Sequence, residues 1–73
     1  MAGGQLKTSV YALEDPSVPG LYVRLGANGE RATLTPRLQA TLAPNTGAAR
    51  AALCGRASAQ LDGRPHELVR LDA

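Results

Sequence analysis

The sequence predicts a mainly β fold, a small single-domain antiparallel barrel or sandwich of five to six short strands with room for one short helix. Three observations point to it. An Asn28-Gly29 pair separates two runs in which apolar and polar residues alternate. Similar alternation recurs in four other stretches of the chain. Breaks rich in Pro and Gly divide those stretches from one another, and such breaks favour turns.

In chain order, Met1–Gly4 reads as a loose end, because Gly3-Gly4 imposes no preferred backbone conformation. Residues 5–13 alternate Leu6, Thr8, Val10 and Ala12 with Lys7, Ser9 and Tyr11, as a strand does. Thr8 and Val10 are β-branched, which favours extended backbone. Glu14–Gly20 contains Pro16 and Pro19-Gly20 and reads as a loop, since proline donates no ladder hydrogen bond.

Residues 21–35 form the most specific signal. Asn-Gly suits a type I′ turn, which needs positive φ at both central residues. With Asn28-Gly29 at the turn, Tyr22 faces Thr35, Arg24 faces Thr33 and Val23 faces Leu34. Leu25 then faces Ala32, so Val23, Leu25, Ala32 and Leu34 share one apolar face. A slip by one residue would scramble that sorting.

Pro36 ends the second strand of the hairpin. Residues 36–43 carry two patterns. Leu38, Ala40 and Leu42 alternate as in a strand, whereas Leu34, Leu38 and Leu42 are four apart and Thr35-Pro36 resembles a helix start. The strand is the preferred reading. Ala43–Gly47 again has turn chemistry. Residues 48–61 are also double-valued. Leu53, Gly55, Ala57, Ala59 and Leu61 alternate with polar neighbours, yet Leu53, Ala57 and Leu61 also share a helical face in an Ala-rich segment. Strand is again preferred, with Asp62-Gly63 turning into a last strand over Glu67–Leu71 and the register of that hairpin left open.

The 73 residues predict one small domain spanning 1–73. Its bulky apolar groups are mostly eleven Leu and four Val, with no Phe, Trp or Ile. A core so poor in large side chains leaves a thin stability margin for a lone chain. Self-association or docking on a larger partner would supply further burial. A single cysteine, Cys54, excludes an internal disulfide framework. No apolar run approaches the ~20 residues of a membrane-spanning helix. The expected location is the cytoplasm, or a particle assembled there.

Chemically capable groups are few. Cys54 and His66 could form a thiolate–imidazole pair in principle, but a partly buried structural cysteine and a solvated loop histidine account for them better. One Cys and one His fall short of a structural zinc site. Glu14-Asp15 is adjacent rather than facing. Gly26–Gly29 lacks a phosphate-loop pattern. No enzymatic activity, cofactor or metal is expected.

The net charge of +2 comes with seven Arg and one Lys. Residues 31–73 hold six of those Arg against three acids. Arginines on a small sheet, Arg56 and Arg70 on the last hairpin among them, could follow a phosphate backbone. Only two aromatic residues are present for base stacking, however, both Tyr. The preferred expectation is a non-catalytic structural or interaction module. It would form a homo-oligomer or join a larger protein assembly, with an accessory part of a particle such as a phage head or tail as one instance. A small basic nucleic-acid-binding or regulatory β-barrel is the alternative. The polar face of the hairpin, Tyr22, Arg24, Arg31, Thr33 and Thr35, is the candidate interaction surface.

Overall fold

Five strands and one helix make up the computed structural model, which describes residues 9–28 and 30–71. The strands are β1 (Val10–Glu14), β2 (Tyr22–Arg24), β3 (Thr33–Thr35), β4 (Ala43–Pro44) and β5 (Glu67–Leu71); the helix is α1 (Gly47–Gln60). β1 lies at the centre of the antiparallel sheet. β5 pairs with it along its whole length, from Val10↔Leu71 to Glu14↔Glu67. β2 joins β1 at Glu14↔Tyr22 and β4 joins it at Tyr11↔Ala43. β3 pairs with β2, and the sheet stays open rather than closing into a barrel.

The hairpin register is the expected one. Tyr22↔Thr35, Val23↔Leu34 and Arg24↔Thr33 are the paired residues. Asn28 has φ +54°, the left-handed region that the first position of a type I′ turn requires. Glu30 N–H donates to the Ala27 carbonyl at 3.0 Å. Gly29 lies outside the described residues, as do Met1–Gly4 and the Gln5–Thr8 part of the predicted first strand.

Two segments depart from the preferred reading. Residues 37–42 are not a strand: Arg37–Gln39 form one 3₁₀ turn and only Ala43–Pro44 pair with β1. The chain must swing from β3, on one side of β2, to β1 on the other. A turn does this where a straight strand cannot. Thr41 then rejoins the sheet, with its N–H donating to Val23 O at 3.0 Å and its Oγ1 accepting from Leu25 N–H at 2.8 Å.

Residues 48–61 form α1 rather than a strand. Ala is the best helix former and is depleted in strands. Thr46 caps the helix, its side chain accepting from Ala49 N–H at 3.1 Å. The i, i+4, i+8 residues Leu53, Ala57 and Leu61 are all buried, packed with Leu13, Val23 and Ala43 of the sheet. Leu25, Ala32, Leu34, Ala49 and Cys54 border this core. Gly55 lies on the exposed face, where it weakens the helix without interrupting it.

Asp62-Gly63 consequently makes no hairpin. Asp62 (φ +54°) and Gly63 (φ +84°) terminate α1 in left-handed conformations. Arg64 N–H donates to the Leu61 carbonyl at 3.0 Å. β5 occupies Glu67–Leu71 as expected, but its partner is β1.

Asp15 holds the loop on both sides of it. Its carboxylate is fully buried and accepts from Ser17 N–H at 2.8 Å and from Arg64 Nε–H at 2.7 Å. The Ser17 amide, with help from Arg64, holds the carboxyl below its ordinary range although burial acts the other way. This ties the β1–β2 loop to the segment between α1 and β5.

A candidate interaction surface on the hairpin

In antiparallel pairs, directly opposed residues project to the same side. Val23 and Leu34 project toward α1 and the core, so Tyr22, Arg24, Thr33 and Thr35 fall on the opposite face. Arg24 and Thr33 are exposed, and Tyr22 is half-buried. Thr35 is only 8 % exposed and its hydroxyl donates to Pro36 O at 3.1 Å. Its side chain thus serves the corner after β3.

Beyond the Arg24↔Thr33 pair, where the strand pairing ends, the hairpin forms an open concavity of about 220 Å³. Arg24, Leu25, Gly26, Ala27, Glu30, Arg31 and Thr33 line it. Three of the five sequence-predicted surface residues, Arg24, Arg31 and Thr33, thereby meet around one hollow. Tyr22 and Thr35 are outside the lining, two pairs further along the strands.

The wall of this hollow depends on Gly26. A Cβ there would come within 2.7 Å of the Glu30 carbonyl and 2.8 Å of the Arg31 carbonyl, closer than side chains tolerate. The helix secures the same residue. Gly26 N–H donates to Gln60 Oε1 at 2.8 Å, and Gln60 Nε2–H donates to Gly26 O at 3.2 Å. One side-chain amide thus satisfies both backbone groups of one residue. Beside it, Arg31 Nη2 meets Asp62 Oδ2 at 3.4 Å, an exposed and long contact.

The remaining candidates are dispersed. Arg56 is exposed on α1 and Arg70 lies on β5, so no last hairpin brings them to one face. Cys54 is half-buried on α1, and His66 precedes β5 with its Nδ1 3.3 Å from the Arg64 carbonyl. Arg50 stacks over the Tyr11 ring, 5.1 Å from its centroid, and also bonds to Asn45. Among the described residues no three His, Cys, Asp or Glu side chains gather as a metal site, and no helix is long and apolar enough to cross a membrane.

Two exposed leucines escaped the sequence reading. Leu38, on the 3₁₀ turn, is 98 % exposed and Leu42 is 52 % exposed. Both belong to the segment that Thr41 fastens against β2. Read as strand residues they belong to a buried face, so only the turn reveals them.

No protein-family model matches the chain, and no curated protein or solved structure shows significant similarity to it.

Proposed function

We propose that this chain is a non-catalytic interaction module, docking through the hairpin and the segment beside it on a larger protein assembly or on a copy of itself. One observation carries the reading: Arg24 and half-buried Tyr22 share a face of β2, while Leu38 and Leu42 stand exposed on the segment fastened to β2. Tyr and Arg are the residue types that dominate binding energy at protein interfaces. Apolar side chains left open beside them gain most from being covered. A sandwich would arise here only by adding a partner's sheet, because the chain's own sheet has α1 on its core side. An accessory component of a particle such as a phage head or tail is one assembly of this kind, formed in the cytoplasm.

Light scattering coupled to size-exclusion chromatography, together with a pull-down by the purified chain, tests the proposal. A stable oligomer or a defined complex that is lost in the Tyr22→Ala/Arg24→Ala variant, with the fold intact by circular dichroism, is the expected result. A folded monomer with no partner, or a complex indifferent to those substitutions, refutes it.

A second reading rests on the pair Arg24 and Arg31 at one hollow, which suits a phosphate backbone. Binding of a single-stranded oligonucleotide that weakens steeply with salt supports it. Absence of binding at about 50 mM salt removes it.

A further inference from the structure

We infer that the hollow at the hairpin tip is a carboxylate site, in which Arg24 and Arg31 grip an acidic side chain of the docking partner. The inference rests on the interaction-module reading above and names the chemistry that the partner presents.

The groups fit an oxyanion. Arg24 is exposed and makes no ion pair or hydrogen bond among the described residues. Among the described residues Arg31 is held only by the 3.4 Å contact with Asp62, whose side chain is 79 % exposed. Exposed pairs of that length contribute little, so Arg31 is available to a better-placed acceptor. Guanidinium forks favour planar carboxylates, which they engage with two parallel hydrogen bonds. Exposed Thr33 adds a hydroxyl donor to the lining.

The local charge selects among oxyanions. Two Arg and Glu30 line the hollow, and once Asp62 is displaced from Arg31 their excess of one positive charge matches a monoanion. A phosphate dianion would face the Glu30 carboxylate with its second charge unmatched. Asp62 shows a carboxylate within reach of Arg31 at the rim, its Oδ2 accepting from Arg31 Nη2–H. The hollow is also held open before any ligand arrives. The close approach at Gly26 and the Gln60 amide shape its wall, so binding orders the two Arg side chains but little of the backbone.

Asp62 competes with the incoming acid, and it can be removed cleanly. Its φ of +54° is a conformation that Asn tolerates well, so Asp62→Asn leaves the turn in place while releasing Arg31. The experiment is a nuclear magnetic resonance titration of the full chain with N-acetyl-glutamate-N-methylamide, its Gln counterpart and inorganic phosphate.

Saturable shifts of the Arg24 and Arg31 Nε–H signals with the Glu compound, and none with the Gln compound, are expected. Asp62→Asn should tighten that binding about two- to fivefold, and Arg24→Ala should weaken it by about tenfold. No saturable shift, or binding unchanged in Arg24→Ala/Arg31→Ala with a native spectrum, overturns the inference. Tighter binding of phosphate than of the Glu compound overturns the carboxylate assignment and favours the phosphate-backbone reading. If carboxylate binding fails while the oligomer or complex persists, only the ligand chemistry is wrong. If carboxylate binding holds and no complex forms, the docking reading falls, and with it the assignment of the carboxylate to a partner, while the carboxylate chemistry of the hollow stands.

Discussion

Gln60→Ala isolates the contact that joins the helix to the hairpin. The substitution deletes two hydrogen bonds to Gly26, at 2.8 and 3.2 Å. A typical intramolecular hydrogen bond contributes about 0.5–1.5 kcal/mol net, so losing both should cost about 1–3 kcal/mol. Ala returns at most a few tenths of a kcal/mol as a marginally better helix former. Against a total stability of about 4–11 kcal/mol for a domain of this length, the loss is large. With a urea slope of ~1 kcal/mol/M for a small chain, the unfolding midpoint should fall by about 1–3 M.

Gln60→Glu sharpens the test. A carboxylate can accept from Gly26 N–H but cannot donate to Gly26 O, and it places negative charge against that carbonyl. It should therefore not restore wild-type stability at neutral pH. Urea unfolding followed by circular dichroism, with amide exchange at Gly26 as a local probe, reads both variants. If both unfold within about 0.3 kcal/mol of the wild type, the clamp is not a stabilising contact and the account of the hollow's wall fails. If Gln60→Ala is destabilising, it should also weaken carboxylate binding at the hollow, because Gly26 is part of its lining.

Two further outcomes can be checked on the same apparatus. Gly55→Ala should stabilise the chain by about 0.5–1 kcal/mol, since an added Cβ there meets no atom within 4 Å; a loss of stability would contradict an exposed helical position. Asp15 should make stability fall in acid. Its folded pKa lies below its ordinary value, so its contribution is fully present above about pH 4 and is lost as pH falls through the depressed folded value. Urea midpoints from pH 6 to pH 2 should thus decline more steeply for the wild type than for Asp15→Asn, and equal slopes would refute the role.

The hairpin could be read directly from the chain, because its information is local. Asn28 supplies the left-handed turn residue, and alternation then permits one register, Tyr22↔Thr35 through Arg24↔Thr33. The Glu67–Leu71 strand was legible for the same reason. The state of residues 48–61 was instead settled by packing. Leu53, Ala57 and Leu61 satisfy periods of both two and four, and the choice depended on which surface they could cover. The sheet offered Leu13, Val23 and Ala43, so the helix formed over them. Asp62-Gly63 was a turn in either reading, but whether it closes a hairpin or ends a helix followed from that choice. The hollow was half visible: alternation put Arg24, Arg31 and Thr33 on one polar face of the hairpin. Its wall was not, since Gln60 meets Gly26 across 34 residues, and neither was the tie between Arg64 and Asp15, 49 residues apart. Contacts so distant in the chain leave no periodicity to read, because they arise only once helix and sheet have packed.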